Sequence, residues 1–165
     1  MYLLPMLAWL SLIFDFSSQT YTQQSIIPFM QKHIQEHRLQ QAVPNVTIRY
    51  NHSEIRAKTD PYKFVEFIFR KGAHLFMYFM LGLFAHLALL PWVKRLMLRV
   101  PLALLIVAVF ASLDEWNQSF TGDRTPTPLD VLVDLSGAAI GQIVLLIAIA
   151  IWLRVRRPRS GHIYS

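Results

Sequence analysis

The sequence predicts an all-α integral membrane bundle of four transmembrane helices, with an extracytoplasmic, partly amphipathic segment between helices 1 and 2. Three observations predict it. Four apolar stretches alternate with polar ones along 165 residues, enough for a single domain spanning 1–165. Charged residues make up 16% of the chain, where soluble domains carry about 25%, so little polar surface is available to coat a water-soluble fold. The charges that remain are sorted by sign along the chain. An apolar content of 54% excludes intrinsic disorder, and the absence of cysteine excludes a disulfide scaffold, a thiolate metal site and a cysteine nucleophile.

Helix 1 is predicted at about 1–18. Its apolar run, Met1 to Phe14, ends at Asp15, and no basic residue occurs before Lys32. A signal sequence usually opens on a positive region and closes at a small-residue cleavage site. Neither is present, so the segment reads as a membrane helix, with a signal sequence as the alternative. Fourteen residues rise roughly 21 Å against a hydrocarbon core of about 30 Å, and continuing the helix through Ser18 narrows the gap.

Residues 19–60 are polar and mixed in charge. Ile26, Ile27, Phe29, Met30, Ile34 and Leu39 recur at helical spacing and predict an amphipathic helix lying along the membrane surface. Pro44 and the alternation Val46, Ile48, Tyr50 predict a turn and a short extended piece.

Helix 2 is predicted at about 62–90, with Asp60 as N-cap and Pro61 at the first position. Its core from Gly72 to Leu90 contains only His74 and His86 as ionisable side chains. Helix 3 covers about 97–118 and closes on Asp114 and Glu115. A loop from Ser119 to Pro128 leads to helix 4, about 129–153, and a basic tail.

Basic residues set the orientation. The connection 91–99 and the tail 154–165 hold seven of the sixteen Lys and Arg and none of the ten Asp and Glu. Both belong on the cytoplasmic side, which predicts a multi-pass cell-membrane protein with both termini cytoplasmic. The net charge of +6 is then a membrane signature, and nucleic acid is not an expected partner.

Charges at membrane depth cost around 2.5–3.5 kcal/mol each on insertion scales, so they face the bundle interior and pair there. Glu66, Arg70, His74, Tyr78, Gly82 and His86 recur every four residues and form one ridge of helix 2, with Glu66 and Arg70 in the favourable order for an ion pair. Asp114 and Gln118 repeat that spacing on helix 3, as do Asp130 and Asp134 on helix 4. In this topology Arg70, Lys71, His74, Asp114, Glu115, Arg124, Asp130 and Asp134 reach one outer rim. Two readings stay open: charged pairs that hold the bundle together, or a site for a polar or phosphate-bearing ligand. The carboxylates with His74 are residue types that bind Mg2+ or Mn2+, but nothing in their spacing demands an ion and the neighbouring Arg and Lys compete for them; neither a metal nor a cofactor is expected. No G-x-S-x-G or H-E-x-x-H motif is present, so no residue is assigned a catalytic role.

Gly137 and Gly141 form a GxxxG element that lets another backbone approach closely, either a helix of the same chain or a second copy. Trp9, Trp92 and Trp152 suit membrane interfaces, and Trp116 reads as an anchor or as a wall of the site.

Four pieces of sequence, in this order, resemble the VanZ family of small bacterial membrane proteins. Phe16-Ser17-Ser18-Gln19 is similar to the serine-rich end of that family's first helix. The run from Arg70 to Tyr78 resembles its R-K-x-A-H-F-x-E-Y signature. Asp114-Glu115-Trp116-Asn117-Gln118-Ser119-Phe120 with Arg124 resembles D-E-x-H-Q-x-F and its loop arginine. Asp130, Asp134, Gly137 and Gly141 match the pattern of the last helix. Three departures stand out: Met77 replaces a frequent Glu, Asn117 a frequent His, and Thr121-Gly122-Asp123 a common Pro-Gly. They weaken the case for acid–base catalysis. The resemblance implies a protein of the bacterial cell envelope; the family's namesake is associated with resistance to the antibiotic teicoplanin, and most members have no established activity. The expected partner is a membrane lipid or lipid-linked cell-wall intermediate, its anionic group held by Arg70, Lys71 and Arg124. The alternatives are a membrane enzyme acting on a phosphate-bearing lipid and a structural or accessory membrane protein.

Overall fold

The computed structural model describes residues 2–50, 53–120 and 127–156. Helix α1 spans Leu3–Ser17 and is followed by three short helices, α2 (Tyr21–Gln24), α3 (Ile27–His33) and α4 (Glu36–Ala42). Strands β1 (Thr47–Tyr50) and β2 (Ser53–Arg56) pair antiparallel, with Ile48 opposite Ile55 and Tyr50 opposite Ser53. Three long helices complete the described chain: α5 (Pro61–Leu89), α6 (Leu96–Gln118) and α7 (Pro128–Arg156).

Helices α5, α6 and α7 are long and apolar enough to cross a membrane. The two of 29 residues reach about 43 Å and the 23-residue α6 about 34 Å, beyond the roughly 30 Å of hydrocarbon. Helix α1 is apolar but has 15 residues, or about 22 Å. It joins the bundle through Met6, Leu10 and Ile13, while Leu4 and Leu7 face outward. Trp9, expected at an interface, turns inward and donates from Nε1 to the Met77 carbonyl oxygen at 2.8 Å.

The segment between α1 and α5 departs from expectation in two respects. The single amphipathic helix is broken at Ile34 and Gln35, both extended, and the Ile34 carbonyl accepts a hydrogen bond from the Tyr62 hydroxyl of α5 at 2.6 Å. The predicted extended piece has a partner strand, β2, whose Ser-Glu-Ile-Arg sequence carries no alternation to announce it. Asp60 occupies the N-cap of α5, but its side chain makes no capping bond; its ψ of 65° lies away from the extended conformation that aims a cap at the first turn.

Small residues line the interior. Leu81, Ala85, Ala103, Val107, Ala111 and Ala138 are fully buried, so the helices approach closely. The GxxxG face of α7 lies on α5 of the same chain. A Cβ at Gly137 would strike the Leu75 carbonyl, and one at Gly141 would come within 2.8 Å of the Phe79 carbonyl oxygen.

A buried polar chain ties the opposite end. Arg99 bonds the carbonyls of Val93 and Lys94 at 2.8 and 3.1 Å, and its Nη1 lies 3.4 Å from His86 Nε2. His86 Nδ1 lies 2.7 Å from Gln142 Oε1, and Gln142 Nε2 donates to the Gly82 carbonyl at 2.8 Å. An amide oxygen only accepts and a guanidinium only donates, so His86 carries its proton on Nδ1. Arg99, read in the sequence as part of the connecting loop, is therefore a buried residue of α6 that closes the end of α5.

Candidate functional site

The amino-terminal half of α5, the end of α6 and the start of α7 converge at one end of the bundle and bring most of the expected site residues together. Asp114, Asp134 and Tyr78 are each 1% exposed. His74 Nδ1 lies 3.2 Å from Asp134 Oδ1, and the His74 and Tyr78 rings stack at 6.5 Å with an interplanar angle of 14°. Ligand atoms of His74, Asp114 and Asp134 all lie within 4.8 Å of one another. Gln118 donates to Asp114 Oδ2 at 3.1 Å, one helical turn away as their spacing requires. Glu115 Oε1 accepts the Thr127 backbone N–H at 2.7 Å and so joins the end of α6 to the approach to α7.

The basic residues are arranged differently from the expected rim. Lys71 pairs with Asp130 and lies 4.3 Å from the centre of the Tyr50 ring, whose hydroxyl also donates to Asp130. The expected Glu66–Arg70 pair is replaced. Glu66 accepts from the Tyr21 hydroxyl at 2.8 Å and from the Ile26 backbone N–H at 3.2 Å, while Arg70 sits 5.5 Å from the Tyr21 ring centre. Tyr21, from the segment before α5, thus takes the place beside Glu66 that local spacing assigned to Arg70, and Tyr50 joins Lys71 at Asp130. Burial, reinforced by the adjacent carboxylate, pushes both the Tyr21 and Tyr50 phenols above their ordinary range. Arg124 lies outside the described residues.

A cavity of about 370 Å³ opens beside this cluster. Ile13, Phe16, Phe69 and Met77 are apolar residues of its lining, and Arg70, His74, Tyr78 and Asp114 are polar ones. Ser17 and the glutamines Gln19, Gln23 and Gln24 also reach it. Trp116 is exposed, packed edge-on against Phe120, and is no wall of this cavity. Among the described residues, Ser17 Oγ, Tyr78 Oη, Asp114 Oδ1 and Glu115 Oε2 are buried without a hydrogen-bond partner. Unpaired buried polar atoms cost about 1–3 kcal/mol each unless water, an ion or a ligand satisfies them, and three of these four belong to residues that line the cavity, Ser17, Tyr78 and Asp114.

An apolar helical bundle with three helices long enough to cross a membrane, and a polar cluster and cavity at one end, defines a membrane protein. The chain belongs to the VanZ/LLP1 family, whose model matches residues 2–151. No curated protein and no solved structure matches it.

Proposed function

We propose that this VanZ-like protein is a four-span component of the bacterial cell envelope, with both termini cytoplasmic, and that its cavity receives the anionic head group of a membrane lipid or lipid-linked cell-wall intermediate at the outer face. The carrying observation is the mixed lining of the cavity, which combines apolar Phe16, Phe69 and Met77 with Arg70 and His74. An amphiphile presents that same combination, and the volume lies within the range of small-molecule pockets. Arg70 carries a planar donor fork suited to phosphate or carboxylate, and no carboxylate pairs with it among the described residues. The cytoplasmic placement of the termini rests on the acid-free basic stretches 91–99 and 154–165. An effect on teicoplanin-type susceptibility follows if the ligand is a cell-wall intermediate.

The test is mass spectrometry of lipid retained by the purified chain. An anionic lipid retained by the native chain and lost from Arg70→Ala, with helical content unchanged, is the expected result. Equal retention by both would count against the reading.

The His74–Asp134 pair favours a second reading, an enzyme acting on such a lipid. A carboxylate holding one imidazole nitrogen fixes the other as a proton acceptor. Turnover of a labelled phosphate-bearing lipid, abolished in His74→Gln, would establish it.

A further inference from the structure

We infer that His74, Asp114 and Asp134 form a binding site for a divalent cation at the floor of the cavity. The inference goes beyond lipid recognition and stands whether or not a lipid enters above. Three helices each contribute one side chain, and the candidate ligand atoms lie within 4.8 Å of one another. Atoms bound to one ion at about 2.1 Å sit roughly 3–4 Å apart, so modest side-chain adjustment closes the set.

Two further observations point to an ion. The first is charge. Asp114, Glu115 and Asp134 are buried together, and among the described residues no Lys or Arg pairs with any of them; Lys71 is engaged by Asp130, and Arg70 lies over the Tyr21 ring. Among the described residues, the competition that the sequence suggested between bases and a metal is therefore absent from these three carboxylates; Arg124 lies outside those residues. Buried like charges require protons or a cation. The second is hydrogen bonding. Asp114 Oδ1 is buried with no hydrogen-bond partner among the described residues, and the Tyr78 hydroxyl is likewise left without a partner. A bound cation would satisfy that carboxylate oxygen.

The donor set sets the ion's class. One imidazole with two carboxylates suits Mn2+ or Zn2+ better than a soft ion such as Cu(I). His74 Nδ1 lies 3.2 Å from Asp134 Oδ1, a separation that suits two atoms bound to one ion, so in the loaded site Nδ1 is the ligating nitrogen and the ring proton sits on Nε2. Three protein ligands leave coordination positions facing the cavity.

The experiment uses the full chain in detergent, stripped with chelator and titrated with Mn2+ while the signal of free Mn2+ is followed by electron paramagnetic resonance, with Zn2+ as competitor. Saturable binding of one Mn2+ per chain, displaced by Zn2+, is expected. Asp114→Asn and Asp134→Asn should each weaken it by roughly tenfold or more, the range reported for perturbed metal sites. Glu54→Gln, on the exposed hairpin, should leave it unchanged. Absence of saturable binding to the native chain overturns the inference, as does native affinity in both Asn variants. The native titration decides the matter if a variant fails to fold. Lipid measured on the same stripped protein separates the two proposals: lipid retained without Mn2+ binding defeats the cation site alone, and Mn2+ binding without lipid defeats the lipid reading alone.

Discussion

Lys71 and Asp130 are paired between α5 and α7 across 59 positions of sequence, and the Tyr50 hydroxyl shares the same carboxylate oxygen. The pair is largely buried, with side-chain exposures of 16% and 14%. This contact fastens the β1–β2 hairpin to the bundle. Lys71→Met should therefore cost more than an exposed ion pair would, because among the described residues it leaves Asp130 with only the Tyr50 hydroxyl as side-chain donor; about 1–3 kcal/mol is expected. Thermal unfolding in detergent measures it. A double variant, Lys71→Met with Asp130→Leu, should recover part of the loss. A double as unstable as the sum of the singles would show that the pair is not coupled.

The Tyr50 phenol gives an alkaline signature. Its pKa is raised above the ordinary value of 10 by burial and then by Asp130, so the folded chain keeps the proton that an unfolded chain releases. The associated stability is fully present below pH 10 and is lost as pH climbs from there towards the folded-state pKa. Tyrosinate absorbance should show a late-titrating tyrosine that disappears in Tyr50→Phe. An unchanged titration in that variant would contradict the buried contact.

Glycine substitutions should separate by position. Gly137→Ala drives a methyl into the Leu75 carbonyl and should destabilise by roughly 1–3 kcal/mol; Gly141→Ala should follow at the lower end, since its nearest atom is 2.8 Å away. Gly72 meets nothing within 4 Å, so Gly72→Ala should stabilise α5 by up to about 1 kcal/mol. Unfolding midpoints give the order, and the reverse order would disprove the α5–α7 packing.

At the far end, Gln142→Leu removes the acceptor of the His86 Nδ1–H and should cost about 1–3 kcal/mol. Adding His86→Leu should cost less than a second independent loss, because two apolar side chains leave fewer unpaired groups. Additive losses in the double-mutant cycle would rule out direct coupling.

Topology is open to cysteine labelling, since the native chain has no cysteine. Glu54→Cys should label from outside intact cells, and Arg95→Cys should not. The opposite pattern would invert the bundle and move the cavity to the cytoplasmic face.

Hydropathy and helix signals in the chain itself determined α5, α6 and α7 to within a few residues, because long apolar runs bounded by Pro61, Pro91 and Pro128 leave the backbone little choice in lipid. Four-residue spacing likewise made the local Asp114–Gln118 bond legible, since positions one turn apart are neighbours on any helix. The same rule proposed a Glu66–Arg70 pair that does not form, because local spacing says nothing of a competing donor 45 residues away at Tyr21. Only the tertiary structure selected Tyr50 for Asp130, placed β2, and brought Arg99 to His86. Those choices depend on which side chains arrive from distant segments. A buried polar group takes the partner that packing delivers to it, and one-dimensional periodicity carries no record of that arrival.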